Sequence, residues 1–186
     1  MKRATDNLVD DHTIIQKVMD IMVRITSVKD PDVEHLEFVV SFIREYADGC
    51  HHAKEEGLLF PKLVDKGIPK EFGPIGMMLR EHEQGRNFVK GMADNIALYK
   101  AGNKEALKDV YQNMNGYVNL LRDHIAKENN VLFRMADQAL SDEEQSILLN
   151  QFALAMTVNI GQDKIDKYLA HLKVLEAVYR QTAANF

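Results

Sequence analysis

The stretch HHAKEEGLLFPKL, residues 51–63, has two adjacent histidines one helical turn before two adjacent glutamates. Residues four apart lie on the same face of an α-helix, so His51 faces Glu55 and His52 faces Glu56. An ordinary surface ion pair and a metal site share this local pattern. The rest of the chain has to distinguish them.

A second copy of the pattern lies in HIAKENNVLF, residues 124–133. His124 precedes Glu128 by four residues, and an apolar run ending in Phe follows, as it does after the first copy. One His-x-x-x-Glu motif is common on solvated helix faces. Two such motifs, each leading into an apolar run, favour a metal site inside a helical protein.

Composition excludes several classes of protein. The chain has 186 residues, 46% of them hydrophobic, which is enough for one domain with a core. Its formal net charge of -5 argues against a nucleic-acid binder with a basic face, and its one cysteine allows no intrachain disulfide. No apolar run of about 18 residues suggests a membrane span, and the start MKRATDNLVDD lacks a signal-peptide core. We therefore expect a cytoplasmic protein that binds neither nucleic acid nor membrane.

The apolar residues recur at helical spacing throughout. We expect an all-α fold in which an up-down-up-down four-helix bundle occupies residues 1–140, because the connections between the first four helices are short. A C-terminal helical extension, residues 141–186, should pack on the bundle. Pro31 is expected at the start of the second helix, while Gly57 and Pro61 should bend or fray its end. The expected helices cover residues 8–25, 33–66, 74–100, 104–137, 142–158 and 162–182.

Four histidines fall at one height in this bundle. Two helix breaks, KDPD (29–32) and AGNK (101–104), are expected at the same end of the bundle. Each of the four histidines lies 17 to 20 residues from one of these breaks: His12, His51, His82 and His124. At about 1.5 Å per residue, their heights agree to within about one turn. Inward-pointing imidazoles and carboxylates are how four-helix proteins hold two metal ions, and burying them without metal would be costly. The layer therefore predicts a metal centre in the middle of the bundle.

These motifs strongly resemble the hemerythrin-like family of di-iron proteins, also called HHE cation-binding proteins, over residues 8–137. The motifs are DDH (10–12), HHAKEEGLLFPKL (51–63), GPIGMMLREHEQGR (73–86) and DHIAKENNVLF (123–133). The last three motifs also resemble the C-terminal domain of di-iron proteins that repair iron–sulfur clusters. The resemblance implies two iron ions with an oxo or hydroxo bridge, and bridging roles for Glu55 and Glu128. The implied ligands are His12, His51, Glu55, His82, His124 and Glu128.

The sequence departs from the oxygen-carrying hemerythrins on the third and fourth helices. Those proteins carry two histidines four apart on the third helix, but Met78 and Arg86 flank His82 at that spacing. They also carry Asp five residues after the fourth-helix histidine, where this chain has Asn129. One ligand is therefore missing, and we expect His52 to supply it. The alternatives for that place are Glu81, Glu56 and water.

Other polar residues near the layer have plainer expected roles. Glu56 is expected to pair with Lys127, Lys54 or solvent, and Glu81 to lie at the surface or support a ligand. His35 is expected to be solvated. Tyr46 and Tyr117 lie one to two turns from His51 and His124, where they serve as core residues or as relays near the metals.

The resemblance implies a non-haem di-iron protein that binds or senses O2, iron or redox state. The alternatives are an enzyme that reduces hydrogen peroxide or nitric oxide, a donor of iron for cluster repair, and a metal store. The missing third-helix histidine weighs against an O2 carrier. The single cysteine and the start within the bundle weigh against a dedicated repair protein. The expected small ligands are O2, peroxide or nitric oxide, and a homodimer is an open possibility.

Overall fold

The computed structural model describes residues 2–180, which form six helices and no strand. The first four make the expected bundle, and the last two pack against it. No described helix combines the length and the apolar content that crossing a bilayer requires. The helices are α1 (Ala4–Ile25), α2 (33–65), α3 (Pro74–Lys100), α4 (106–139), α5 (Asp142–Asn159) and α6 (Gln162–Arg180).

Helix α1 begins four residues earlier than expected, and the contacts at its start explain the difference. The backbone N–H of Arg3 donates to the side chain of Asp6 at 2.8 Å. The N–H of Ala4 donates to the side chain of Gln145, on α5, at 3.0 Å. These bonds satisfy donors that a helix start leaves free. A contact 141 residues away is invisible to local sequence analysis.

Helix α2 corrects two expectations. Pro31 lies outside the helix, because Asp32 is the N-cap and accepts from the N–H of Glu34 at 2.8 Å. Gly57 and Pro61 do not fray the helix end. The chain instead has π-helical hydrogen bonding over Glu55–Leu59 and then returns to α-helix over Phe60–Asp65. The wider π turn accommodates the proline, which has no N–H to donate.

Two apolar clusters enclose the histidine layer from opposite ends of the bundle. The larger lies toward the break at residues 29–32 and contains Met22, Phe42 and Met114. The smaller lies toward the other end and contains Leu59 and Phe133. Each fully buried side chain of this size contributes about 1.5–3 kcal/mol to folding. The polar layer is therefore held between two dry cores.

The two C-terminal helices join both cores. Phe152 of α5 belongs to the smaller cluster, and Tyr168 and Leu172 of α6 belong to the larger. Ser141 and Glu144 form a capping box at the start of α5. The last six residues of the predicted extension, 181–186, lie outside the described residues, as do the final two of the predicted last helix.

The expectation for His35 was wrong. Its ring is half-buried and shares a 2.9 Å hydrogen bond with the hydroxyl of Tyr179 on α6. His171, also on α6, stacks on Phe38 with ring centroids 4.2 Å apart. These aromatic contacts attach α6 to α2.

Candidate metal centre

All seven residues predicted as ligands lie together in the middle of the bundle, and each is at most 4% exposed. They form two groups that share Glu55, and within each group the potential donor atoms lie within 4.8 Å of one another. We call these groups the first and second positions. The first position is formed by His12, His51, Glu55 and Glu128, and the second by His52, Glu55, His82 and His124.

The spacing of the ring nitrogens suits metal binding. The Nε2 atoms of His12 and His51 are 3.0 Å apart, and those of His82 and His124 are 3.1 Å apart. Two imidazole nitrogens at right angles on one ion, each about 2.1 Å from it, lie about 3 Å apart. Each histidine pair is therefore spaced as adjacent ligands of one ion would be.

Two glutamates lie between the histidine pairs. One carboxylate oxygen of Glu128 is 3.1 Å from Nε2 of His12, and the other is 3.2 Å from Nε2 of His124. Glu55 lies 3.7 Å from Nε2 of His51 and 3.5 Å from Nε2 of His82. Both carboxylates thus face both positions, which is the placement that a bridging ligand needs.

None of the four carboxylate oxygens of Glu55 and Glu128 accepts a well-directed hydrogen bond from the described residues, although all four are buried. The histidine nitrogens are close to them but are not aligned to donate. Buried carboxylates without partners are strongly unfavourable. Cations at the two positions would remove that cost, so the residues present fit a pair of metal ions.

The other nitrogen of every histidine in the centre has a fixed oxygen partner. An Nδ1–H that donates to an oxygen leaves Nε2 deprotonated and free to bind metal. The Nδ1 partners are Asn129 for His12 at 2.8 Å, Asp11 for His51 at 3.3 Å, Asp48 for His52 at 3.2 Å, Glu56 for His82 at 2.7 Å and Glu81 for His124 at 2.9 Å.

The first position is supported by a fully buried charge network. Asp11 accepts hydrogen bonds from Tyr46 at 3.0 Å and from the ammonium of Lys54. Lys54 has no exposed surface and also donates to Asn7 at 2.8 Å. Burial alone would raise the pKa of Asp11, but His51 and Lys54 lower it to about 2. Asp11 is therefore a charged and fixed partner for His51.

The second position is supported by a network that reaches solvent. Arg86 donates to Asp48 at 2.8 Å and to Glu56 at 2.7 Å. These three side chains are between 29% and 37% exposed. Glu81 pairs with Lys127 in the same outer layer. The two positions therefore share bridging carboxylates but differ in how their outer partners are buried.

The structure corrects the partners expected for Glu56. It was expected to pair with Lys127, Lys54 or solvent, but it binds Nδ1 of His82 and the guanidinium of Arg86. The hydrogen bond from His82 lowers the pKa of Glu56, and Arg86 lowers it further. Glu56 is thus a partner of the second position. Glu81 supports His124 from outside the groups, as expected.

Buried charge sets the protonation of the metal-free centre. Burial and the charge of Glu128 raise the pKa of Glu55 well above its ordinary value. Burial lowers the pKa of His124, but Glu128 and Glu81 outweigh it and raise that pKa to about 9. Burial lowers the pKa of His51 to about 4. At neutral pH the raised pKa of His124 therefore favours a proton on that histidine of the metal-free centre, and a metal ion that binds its Nε2 must displace it.

Three π-helical segments lie at the two repeated motifs, and sequence analysis missed all of them. One covers Ile43–His52 and ends on the histidine pair. The other two, Glu55–Leu59 and Glu128–Leu132, each begin on a bridging glutamate. A π turn holds more residues than an α turn and is frequent at functional sites. His51 and His52 lie at the end of the first π segment and belong to different positions, since neighbouring residues on a helix point in different directions.

The sequence model of the family described as "Hemerythrin HHE cation binding domain" matches residues 3–136. No solved structure gives a significant match.

Among curated proteins, the chain is similar to the iron-sulfur cluster repair protein YtfE of Enterobacter sp. (strain 638), with 34% identity over 89 residues. It is 32% identical over 88 residues to YtfE of Escherichia coli O157:H7. Each match covers 46% of this chain and 40% of the relative. The similarity therefore spans less than half the length of these relatives.

Proposed function

Because the chain belongs to the hemerythrin HHE family of cation-binding domains, we propose that it is a non-haem di-iron protein that binds or senses O2 in the cytoplasm. The observation that carries this proposal is the set of four buried, unpartnered carboxylate oxygens between two groups of histidines. Two metal ions held between Glu55 and Glu128 would give all four oxygens a partner. Imidazole and carboxylate ligands suit iron among the first-row metals.

Iron at these positions supplies redox chemistry toward O2 and its reduction products. The chain's own residues would hold the ions and control their surroundings. The five Nδ1 partners fix the histidine rings, and the apolar clusters on both sides of the layer exclude water from the bridging glutamates. Such a centre binds a ligand where the protein leaves access, and access lies beside the second position, where a cavity meets His52 and His82.

The second candidate function is reaction rather than reversible binding. The centre would reduce hydrogen peroxide or nitric oxide, or donate iron for repair of iron–sulfur clusters. The similarity to the YtfE proteins, which are named iron-sulfur cluster repair proteins, favours the iron-donating form of this candidate. The half-exposed partners of the second position also favour release of its ion over release of the first.

Rapid mixing of the diferrous protein with O2, hydrogen peroxide and nitric oxide separates these functions. A stable oxygenated form that releases O2 when the gas is removed supports binding or sensing. Sustained turnover of peroxide or nitric oxide with a reductant supports the enzyme. Transfer of iron to a cluster-depleted acceptor supports iron donation. A metal-loaded protein that reacts with none of the three and transfers no iron would contradict the proposal.

A further inference from the structure

Helix α5 has an apolar face that no described residue covers. Only three of its 18 residues are buried. On the outer side Ile147 is 50% exposed, Leu154 65% and Val158 75%. Residues 145–159 also contain no Asp, Glu, Lys, Arg or His. A helix that is apolar on most of its sides is normally enclosed by protein, so this face is expected to have a partner.

The exposed residues of α5 have the spacing of a coiled coil. Ile147, Gln151, Leu154 and Val158, which we call the outer stripe, are separated by four, three and four positions. This is the heptad spacing of helices that pack in pairs. The spacing is the same when it is read in either direction along the chain. In an antiparallel pair of α5 helices, Ile147 therefore lies opposite the partner's Val158, and Gln151 opposite the partner's Leu154.

A groove beside the outer stripe widens the apolar face. It lies between α5 and α2, where Leu58 and Pro61 line it together with Ile147 and Gln151. The 18 residues of α5 make the face about 27 Å long, and two adjacent helices make it about 20 Å wide. A symmetric pair would thus bury roughly 500 Å² on each copy, or about 1,000 Å² in all. That is near the lower limit for a specific interface, so it fits a reversible dimer.

Charged residues of the groove lie at one end of this face. Lys62 pairs with Glu144 there at 3.1 Å, and Asp65 is exposed beside them. The outer stripe itself carries no charge. Two copies can therefore approach along an uncharged surface, although the chain has a formal net charge of -5.

Residues 181–186 of the same chain are too far away to cover the outer stripe. Ile147 and Pro61 line one groove at one end of α2, whereas Tyr179 bonds to His35 near the other end. Pro61 and His35 are 26 residues apart in the sequence, or about 39 Å along a helix. Six residues span at most about 22 Å when fully extended. The partner of the outer stripe is therefore another molecule.

A membrane surface suits α5 less well than a second copy does. Helices that lie on membranes carry Lys and Arg on their polar side, and these attract anionic lipids. α5 has three acidic residues in its first turn and contains no Lys or Arg. An anionic surface would therefore repel it. A second copy offers an identical uncharged stripe and brings no such repulsion.

We propose that α5 is the contact helix of a reversible homodimer, in which the outer stripes of two copies pack antiparallel. The two Gln151 side chains then lie in neighbouring central layers, about one helical turn apart, where their amides bond to each other. A polar residue at one core position of a coiled coil fixes the register. The dimer leaves the metal centre accessible, since no residue of the outer stripe lines the cavity beside His52 and His82.

Sedimentation velocity of the metal-loaded full chain tests the dimer. Wild-type protein should pass from monomer to dimer between about 1 and 200 μM, the range that suits an interface of this size. Leu154→Glu places a charge on each copy within the contact and should weaken association at least about tenfold. Leu98→Glu is the matched control, because Leu98 is 50% exposed on α3, outside the outer stripe, and it should leave association unchanged.

Cysteine cross-linking tests the antiparallel register. The protein's own Cys50 is 1% exposed and does not compete. Ile147→Cys protein mixed with Val158→Cys protein should form disulfide-linked pairs on mild oxidation, because the two positions lie opposite each other. Val158→Cys alone should not, since its two copies lie about 16 Å apart along the helices, beyond the reach of a disulfide. Cross-linking of Val158→Cys to itself, and not to Ile147→Cys, would contradict the antiparallel pair.

Further measurements keep the dimer falsifiable. Val158→Glu is a second disrupting variant, and circular dichroism and metal content check the fold of each. Monomeric wild-type protein over the whole concentration range, or equal association of wild type and both folded glutamate variants, would overturn the proposal. Binding of monomeric wild-type protein to vesicles of phosphatidylcholine and phosphatidylglycerol, lost in Leu154→Glu, would assign the face to a membrane instead. High salt should not weaken the dimer, because its contact contains no ion pair, and dissociation in high salt would also contradict it.

Discussion

The first and second positions both take residues from the two repeated His-x-x-x-Glu motifs but face different surroundings. The first is sealed, since its outer partners Asp11 and Lys54 are almost entirely buried. The second adjoins a cavity, and its outer partners Asp48, Glu56 and Arg86 are about one-third exposed. The first position therefore lies in a closed environment and the second in an accessible one.

This difference indicates a division of roles within one centre. A buried ion pair is costly to break, because removal of either partner leaves an uncompensated charge. A half-exposed pair is screened by water and tolerates change. We therefore expect the first position to be the permanent half of the centre and the second to be the half that exchanges ligands or metal.

The largest expected effect follows from removing a residue that both positions share. Glu55→Ala should lower iron content by more than half, because Glu55 belongs to both groups. Metal analysis of purified protein, with circular dichroism to check folding, measures this. Glu83→Ala is the matched control, because Glu83 is 69% exposed and outside the centre. Retention of full iron content by Glu55→Ala would remove Glu55 from the centre.

A smaller change should empty one position alone. His52→Ala removes a donor of the second position only, and His12→Ala removes a donor of the first only. We expect His52→Ala to keep about one metal per chain, since the first-position ligands are intact. Equal losses of both metals in the two variants, measured by titration with Co²⁺ spectroscopy, would show that the positions fill as one unit and contradict their separation.

The two outer networks should differ in stability. Lys54→Met leaves Asp11 buried without its cation, so the free energy of unfolding should fall by about 3–5 kcal/mol. Arg86→Met breaks a half-exposed pair, and the loss should be about 1 kcal/mol or less. Urea unfolding of the two metal-free variants beside the wild-type protein gives both values. A larger loss for Arg86→Met would reverse the comparison.

Protonation gives a further test of the centre. In the metal-free protein the carboxylates of Glu128 and Glu81 raise the pKa of His124 to about 9. Metal binding displaces the proton of His124, so affinity should rise as the pH increases from 6 to 9 and then level off. Calorimetry in buffers of different ionisation enthalpy should find protons released on metal binding at pH 7. If the calorimetry finds no proton release, the metal does not displace a proton from this centre and the prediction is wrong.

The heights of the four histidines could be predicted from the sequence, because each residue adds a fixed rise along a helix. The directions of the side chains could not. Glu56 was expected to pair with Lys127, Lys54 or solvent, but it meets His82 and Arg86, and the chain is π-helical from Glu55 to Leu59. Regular periodicity gives no sign of such a change of turn.

Other partners and helix boundaries were not predicted from the sequence, for different reasons. Asp48 stands four residues before His52, and this spacing was a signal that could have identified the pair. Asn129, the partner of His12, lies 117 residues from it in the sequence, so only the tertiary structure reveals the pair. The start of α1 at Ala4 likewise depends on Gln145 of the extension. Boundaries and outer partners depend on long-range contacts that periodicity does not report.

Anomalous diffraction at the iron edge, from crystals of the iron-loaded protein, tests the di-iron centre directly. We predict two anomalous peaks in each chain. One should lie among His12, His51 and Glu128, and the other among His52, His82 and His124, with Glu55 between them. A single peak, or iron outside these two groups, would contradict the di-iron centre.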